Sequence, residues 1–285
     1  MAKVSFRSAR SQASHAAREL DLDSVRTEKN YAGALKGVAE FLQENKLGDL
    51  RSLDAEKAIA YLEARGQDVH QKTLDMDRQA MQAVIGEKLP VIPAKEKTTL
   101  ESRAYTHEQA VMVADTQSEK HSLATQIAEN AGLRAHELLT LRPVEERQAD
   151  THREYRDDRF TGRTDVKIYT VEGKGGLCRE VAIDRSLANQ LESRRLDEPR
   201  IVYDREVRYE QHYNLGGGKQ WADSFSKAAD RALGWSTGAH GLRHEFAQER
   251  MNTLQGHGYE YREALEIVSQ EMGHFRPEIT EVYLR

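Results

Sequence analysis

Residues 240–245 read HGLRHE, and they are the most informative stretch of the chain. His240 and Arg243 are three residues apart, so on a helix that begins here they face the same way. A histidine and an arginine presented together by a helix N-terminus suit an anionic oxygen. His240 and His244 also have the spacing of a zinc pair, but Glu245 follows the second histidine and no third ligand is evident. The stretch therefore favours an anion site over a metal site.

Upstream, residues 132–137 read GLRAHE. Gly132 is expected to break a helix, which places Arg134 near the N-terminus of the next one, where its charge opposes the local helix dipole. Glu137 lies one turn further on and can hold the guanidinium. Taken alone, the pair also fits a surface ion pair, which stabilises a protein little.

Between these two stretches, Val166–Val171 and Leu177–Ile183 are β-prone runs joined by a glycine-rich connection. This pattern predicts a hairpin whose tip displays Lys174, and the flanking glycines would let the backbone approach a phosphate. A solvated turn lysine is the simpler interpretation. The glycines do not form the phosphate-binding loop of nucleotide hydrolases, because its G-x-x-x-x-G-K-[ST] pattern is absent.

Near the end of the chain, residues 272–277 read MGHFRP. Gly273 is expected to end a helix, with His274 directly after it. Tyr283 follows nine residues later on a short helix predicted over Pro277–Leu284. Such a tyrosine is either an aromatic anchor on the core or, if its neighbours supply positive charge, a nucleophile.

Together these pieces supply two arginines, one lysine, two histidines and one tyrosine. Metal-free phosphoryl transfer needs positive charge around the phosphate oxygens, a proton donor for the leaving oxygen and an oxygen nucleophile in line with it. Arginine provides planar, bidentate donors for the first task. The combined set is therefore sufficient for this chemistry.

The ordered set resembles the tyrosine recombinase (phage integrase) family. The matching segments are 132–137, Lys174, 240–244, 272–274 and Tyr283. The resemblance implies a mainly α protein with a small antiparallel β-sheet, in which a helical core-binding domain and a mixed α/β catalytic domain form a clamp around duplex DNA. It also implies a site-specific recombinase or integrase of a mobile element.

In that family the tyrosine attacks the scissile phosphate, so the resemblance implies a 3′-phosphotyrosine on Tyr283 and a free 5′-hydroxyl. Arg134 and Arg243 would neutralise the charge on the phosphate in the transition state. Glu137 would orient Arg134 from behind.

The resemblance assigns the proton transfers to three further residues. Lys174 would protonate the leaving 5′-oxygen, His240 would assist proton transfer from the tyrosine, and His274 would hydrogen-bond a phosphate oxygen. No cofactor and no metal are expected, because the covalent link keeps the energy of the phosphodiester.

The domain organisation follows from helical periodicity and from two prolines. Four helices are predicted over about 11–20, 23–45, 52–65 and 71–87, which gives a helical (SAM-like) DNA-binding domain at residues 1–89. Pro90 and Pro93 mark a linker at residues 90–104, whose Lys95 and Lys97 are candidate DNA contacts. The catalytic domain would occupy residues 105–285. Thr106 and Gln109 have capping-box spacing and are expected to open its first helix.

In the catalytic domain the pattern predicts helices over about 108–115, 119–141, 184–196, 220–233, 241–254 and 261–272. The chain has 285 residues, 31% of them charged, with a net charge of −5. That balance is unusual for a DNA clamp, so binding would come from local clusters of basic residues. One cysteine, Cys178, excludes an internal disulfide.

No apolar run is long enough for a membrane helix and no secretory signal is evident, so a cytoplasmic protein is expected. The resemblance further implies a bacterial protein that is associated with the nucleoid when it is bound to DNA. The expected partners are double-stranded DNA, other copies of the chain in a tetramer, and accessory DNA-bending or directionality proteins. Only Leu284 and Arg285 follow Tyr283. The helix with which family members dock on a neighbouring protomer is therefore expected to be absent or replaced by another element.

Three alternatives stay open from the sequence. A type IB topoisomerase-like enzyme would share the nicking chemistry but act on one duplex. A non-catalytic DNA-binding protein on the same fold would bind DNA without forming a covalent adduct. A helical interaction protein with chance motif matches would show no salt-sensitive affinity for DNA.

Overall fold

A computed structural model describes residues 8–96, 101–173 and 175–285 of the chain. The chain divides into two compact units, residues 1–100 and residues 101–285, and each is described by itself. The division falls inside the segment 90–104 that the sequence marks as a linker. The mainly helical composition and the small antiparallel sheets agree with the predicted fold class.

The first unit contains four helices, each within three residues of its predicted ends. Ser8, Ser24 and Asp54 cap three of them through side-chain oxygens that accept backbone N–H groups. Gly86 ends the fourth in the left-handed conformation. The helices are α1 (Ala9–Glu19), α2 (Val25–Glu44), α3 (Ala55–Arg65) and α4 (Gln71–Ile85).

The proline-containing segment after α4 lacks helix, as expected, but it packs against the first unit. Leu89 is buried with the helical core. The amide group of Gln71 donates to the carbonyl of Ile92 (3.1 Å) and accepts from the N–H of Ala94 (2.8 Å). Residues 89–94 therefore extend the helical unit.

The second unit combines seven helices with two small antiparallel sheets in its described part. The strand Val166–Glu172 pairs with Arg142–Pro143 on one side and with Cys178–Asp184 on the other, and Arg195–Asp204 pairs with Val207–Tyr213 alone. In chain order the elements are α5 (His107–Asp115), α6 (Glu119–Asn130), β1 (Arg142–Pro143), β2 (Val166–Glu172), β3 (Cys178–Asp184), α7 (Arg185–Glu192), β4 (Arg195–Asp204), β5 (Val207–Tyr213), α8 (Gly218–Leu233), α9 (Gly241–Gly256), α10 (Tyr261–Glu271) and α11 (Pro277–Thr280).

Several predicted features of this unit are confirmed. The capping box of Thr106 and Gln109 opens α5, with both reciprocal hydrogen bonds present. Strands β2 and β3 form the predicted hairpin, in register from Val166 opposite Asp184 to Glu172 opposite Cys178. The last predicted helix is shorter than expected, because a 3₁₀ turn over Glu281–Tyr283 follows α11.

The helix predicted over 119–141 is wrong beyond Asn130. Gly132 adopts a left-handed φ of 61°, and the N–H of Leu133 turns back to the carbonyl of Ala128 (3.0 Å), which closes the end of α6. Turns and a short 3₁₀ helix over Glu137–Leu139 follow.

The β4–β5 hairpin was not predicted from the sequence. Helix α7, which was predicted to reach residue 196, ends at Glu192. The two residues of the turn, Arg205 and Glu206, both have positive φ (49° and 69°). Two-residue hairpin turns of this kind normally use Asn-Gly or Asp-Gly. An Arg-Glu turn carries no such signal.

Helix α9 lies between two apolar clusters of the second unit. Leu242 belongs to the cluster with Tyr105, Trp221 and Phe225. Phe246 and further α9 residues belong to a cluster with α10 that includes Tyr283. The N-terminal half of α9 is therefore fixed by packing on both sides. Within the described residues, no helix combines the length and apolar character needed to cross a bilayer.

Candidate active site

The turn after α6 positions the first predicted arginine. The N–H of Arg134 donates to Glu137 Oε2 (2.7 Å), and its Nη1 donates to Glu137 Oε1 (2.8 Å). The side chain of Arg134 stays 22% exposed, whereas that of Glu137 is fully buried. The arginine thus faces solvent on one side while the carboxylate fixes it from behind, as the sequence predicted.

Glu137 is shared by three guanidinium groups. Besides Arg134, Nη2 of Arg179 donates to Oε2 (3.1 Å), and Nη1 of Arg243 lies 3.8 Å from the same oxygen. Burial alone would raise the pKa of Glu137, but the positive charges of Arg179, Arg134 and Arg243 outweigh it and hold the pKa well below its usual range. The carboxylate is therefore ionised at neutral pH.

Arg243 lies at the first turn of α9 and has no solvent-exposed surface. Its guanidinium donates to the carbonyl of Gly132, to the carbonyl of Met272 (3.2 Å) and to Nε2 of His274 (3.2 Å). Among the described residues, its Nε–H has no hydrogen-bond partner. Burial, followed by the charge of Arg134, lowers the pKa of Arg243. This arginine connects three segments that the sequence singled out separately.

His274 follows Gly273, whose φ of 70° turns the chain at the end of α10. An arginine cannot accept a hydrogen bond, so Nε2 of His274 accepts from Arg243, and Nδ1–H donates to the hydroxyl of Thr280 (3.0 Å). This is a neutral imidazole. Burial, with the charges of Arg243 and Arg134, lowers its pKa to about 3.

Tyr283 is 8% exposed and lies against the other site residues. Its hydroxyl is 3.1 Å from Nε2 of His240, and its ring centroid is 4.7 Å from that of His244 and 5.1 Å from that of His274. The guanidinium carbon of Arg243 lies 5.6 Å from the ring centroid. Tyr283 therefore lies among the other predicted site residues, and it also packs in the apolar cluster of α9 and α10.

A side chain of α9 fixes the backbone around Tyr283, and burial determines the protonation state of its neighbour His240. The amide of Gln248, on α9, donates to the carbonyl oxygens of Tyr283 (3.2 Å) and Arg285 (2.9 Å). Burial, followed by the charge of Arg243, lowers the pKa of His240 to about 3. The imidazole of His240 is therefore neutral at pH 7, and its Nε2 can accept a hydrogen bond from the phenol.

Of the predicted site residues, the structure brings together Arg134, Glu137, His240, Arg243, His274 and Tyr283. Lys174 and Lys97 lie outside the described residues. Lys95 is exposed in the first unit, where its N–H donates to the carbonyl of Gly66. Among the described residues, no three His, Cys, Asp or Glu side chains are grouped as metal ligands.

Arg179 was not among the residues predicted from the sequence. It lies in strand β3 and is 1% exposed. Val181 and Ile183 follow it at two-residue intervals, and both are buried. An arginine on the inward side of an otherwise apolar strand face was the signal that could have indicated a buried partner.

The fold of this chain is similar to that of several solved structures, although its sequence is not similar to known families. No family model matches the sequence, and no curated protein matches it. Among solved structures, XerH site-specific recombinase in a post-cleavage complex with palindromic difH is 15% identical, with a TM-score of 0.62 over 98% of this chain and 82% of that chain.

A lambda integrase dimer bound to a COC′ core site is also 15% identical, with a TM-score of 0.56 over 94% of this chain and 96% of that chain. A lambda integrase tetramer bound to a Holliday junction gives 14% identity and 0.56 over 96% and 76%. The chain therefore has the fold of the tyrosine recombinases, which confirms the resemblance inferred from the sequence at the level of fold.

Replacing Gly132 by alanine tests the turn that carries Arg134. A Cβ on Gly132 would lie 2.4 Å from the buried ring of Phe246, in a left-handed backbone conformation. We expect Gly132→Ala to lower the free energy of unfolding by about 2–4 kcal/mol, the sum of left-handed strain and overpacking. Urea denaturation measures it. Gly256→Ala, where nothing lies within 4 Å of the new Cβ, is the control. Equal stability of the two variants would contradict the packing described.

The lowered pKa values of His240 and His274, both about 3, predict stability that falls as pH drops below the ordinary histidine value. Below about pH 6.5 the unfolded chain binds protons that the folded chain rejects, so acid favours unfolding. His274→Gln should flatten this dependence by up to about one proton between about pH 6 and pH 5.

The measurement is the free energy of unfolding in urea across that pH range. His152→Gln, at a histidine whose side chain is 61% exposed, is the matched control and should keep the wild-type slope. If His274→Gln also kept the wild-type slope, His274 would not be a neutral group in the folded protein at these pH values.

Proposed function

We propose that the protein is a site-specific DNA recombinase that cleaves and rejoins DNA strands through a 3′-phosphotyrosine link to Tyr283. The observation that carries the proposal is the position of the Tyr283 hydroxyl, 3.1 Å from Nε2 of His240 and on a ring that packs against Arg243. A hydroxyl beside a proton acceptor and buried positive charge meets the main requirements for attack on a phosphodiester.

The charges around Glu137 favour an anion. Three guanidinium groups, those of Arg134, Arg179 and Arg243, surround one carboxylate, so the group carries excess positive charge. Arg179 and Arg243 are almost fully buried. In the protein interior their charges interact with an anion more strongly than they would in water. A phosphate placed at the exposed side of Arg134 would supply the missing negative charge and accept planar, bidentate hydrogen bonds.

In the proposed reaction the phenol oxygen of Tyr283 forms a bond to phosphorus while the bond from phosphorus to the 5′-oxygen breaks. The phenol proton passes to neutral His240. Lys174, the proton donor expected from the sequence, protonates the leaving 5′-oxygen. A 5′-hydroxyl from another duplex then attacks the phosphotyrosine and releases Tyr283. The mechanism requires no ATP, because the protein–DNA link keeps the phosphodiester energy.

His274 requires a change of protonation or tautomer to act on the phosphate. Its Nε2 accepts from Arg243, so this atom cannot donate in the unliganded site. A bound phosphate adds negative charge nearby, which favours the protonated imidazole and raises its pKa. His274 would then donate from Nε2 to a phosphate oxygen.

The proposed partners are double-stranded DNA and further copies of this chain. The XerH structure and the lambda integrase structures are complexes with DNA, and one of the latter is a tetramer on a Holliday junction. We extend to this chain both the DNA and the tetramer, together with a role in a mobile element and the use of accessory proteins.

Tyr283→Phe is the direct test of the nucleophile. Incubation with a cognate site carrying a nick next to the cleavage point should trap a covalent protein–DNA adduct with the wild-type chain, and no adduct with the variant, because only the phenol oxygen can form the bond. Denaturing gel electrophoresis measures it.

Equal DNA affinity of the two proteins is the control for folding. An adduct that persists in Tyr283→Phe would overturn the assignment. Tight binding without any wild-type adduct would instead indicate a non-catalytic DNA-binding protein. Relaxation of supercoiled plasmids that lack a recognition site would indicate a topoisomerase-like activity.

Arg243→Lys tests the need for a planar guanidinium. A lysine keeps the charge but cannot donate at once to two carbonyls and an imidazole, so we expect the single-turnover cleavage rate to fall by about 100-fold or more. Arg250→Lys is the matched control, because Arg250 lies on the same helix, is also buried and pairs with Glu271. Wild-type cleavage by Arg243→Lys would contradict the role given to this residue.

A further inference from the structure

Arg179 is a buried arginine for which the reaction proposed above has no assigned task. It lies on strand β3 with 1% exposure, and its Nη2 donates to Glu137 Oε2 at 3.1 Å. Its Nε–H and Nη1–H groups have no hydrogen-bond partner among the residues that the structure describes. Burying N–H groups of a charged side chain without partners lowers the stability of the protein. A role in the activity of the site would explain why this arginine is present.

Hydrogen bonding of Glu137 does not by itself require this arginine. Both carboxylate oxygens of Glu137 already accept a hydrogen bond from Arg134, at 2.7 and 2.8 Å. Burial lowers the pKa of Arg179 although the charge of Glu137 opposes this shift, and the charge of Arg134 adds to it.

A second buried pair in the same unit shows what a purely structural arrangement is like. Arg250 is 4% exposed and meets Glu271 through Nε (3.0 and 3.1 Å) and Nη2 (2.8 Å). One guanidinium faces one carboxylate, and Nη2 also donates to the carbonyl of Thr161 (3.0 Å). The surroundings of Arg179 differ, because its carboxylate is shared and two of its nitrogens have no partner within the described part of the chain.

Contacts on the other side of Arg179 connect it to the segment that carries His274. Gly273 packs directly on the arginine: a Cβ on Gly273 would lie 2.8 Å from both Cδ and Nε of Arg179. The neighbouring carbonyl, that of Met272, accepts from Arg134 (3.4 Å) and Arg243 (3.2 Å). Arg179 therefore touches both the carboxylate that orients Arg134 and the turn that orients His274.

We propose that Arg179 is a positioning residue for strand cleavage, which fixes Glu137 and the Gly273 turn so that Arg134, Arg243 and His274 meet one phosphate. This inference rests on the proposed recombinase function. Arg179 acts on the side of the site that binds the phosphate oxygens, and it takes no part in protonating the leaving 5′-oxygen.

The test compares Arg179→Met with Arg250→Met, and Arg179→Lys with Arg250→Lys should the methionine variants fail to fold. Single-turnover adduct formation on a nicked site is measured at a temperature where circular dichroism shows each protein folded. We expect Arg179→Met to slow cleavage by about 100-fold, the scale of a displacement of about 1 Å at the reacting groups, with DNA affinity kept. Arg250→Met should lose thermal stability but cleave at the wild-type rate.

A substrate with sulfur in place of the bridging 5′-oxygen identifies the step affected, because a thiolate leaves without protonation. The ratio of the Arg179→Met rate to the wild-type rate should stay the same on this substrate. Recovery of the wild-type rate there would overturn the proposal by placing Arg179 on the leaving-group side. Cleavage by Arg179→Met as fast as by Arg250→Met would also overturn it. Absence of any adduct with the wild-type chain would instead refute the recombinase function itself.

Discussion

A single buried carboxylate, that of Glu137, is the constraint on which the rest of the site depends. It has no exposed surface and lies within 4 Å of the guanidinium groups of Arg134, Arg179 and Arg243. These arginines come from the turn after α6, from β3 and from α9, which are far apart in sequence. Because an ionised carboxylate is costly to bury without partners, the fold is stable only when the three segments converge on it.

The convergence has a chemical consequence. Three positive groups held around one negative group leave a site that is complete only when another anion binds. The arginines cannot relax into solvent, since Arg179 and Arg243 are buried, and backbone carbonyls of Gly132 and Met272 fix the second of these. Positive charge is therefore oriented before any ligand arrives, which is how preorganised sites stabilise charge that develops during a reaction.

The histidines complement this arrangement by staying neutral. Burial and the positive charges nearby lower the pKa of His240 and of His274 to about 3, so both imidazoles are neutral at pH 7. A neutral imidazole next to the Tyr283 hydroxyl can accept its proton, whereas an imidazolium could not. The positive charge that would attract a phosphate thus also keeps His240 unprotonated, and it weakens His240 as a base until an anion binds.

Much of this could be predicted from the sequence. The helices follow from apolar periodicity, the β2–β3 hairpin follows from two β-prone runs around glycines, and the grouping of Arg134, His240, Arg243, His274 and Tyr283 follows from the chemistry that those residue types share. The pairing of Arg134 with Glu137 was also accessible, because residues three apart are neighbours in a helical turn.

Other features depend on contacts that a single sequence does not encode locally. The β4–β5 hairpin turns at Arg205 and Glu206, two residues that rarely adopt positive φ, so tertiary packing overrides their preference. Arg179 looks like any strand residue until the fold brings Glu137 beside it, 42 positions away in the chain.

The most direct test of the account is the cleavage rate of the Glu137→Gln variant. Glutamine has nearly the same shape but no charge, so it leaves the three arginines without their common counter-ion. Single-turnover adduct formation, measured on protein shown to be folded and to bind the DNA site, should fall by about 100-fold or more. A folded Glu137→Gln protein that cleaves at the wild-type rate would show that the shared carboxylate does not organise the site.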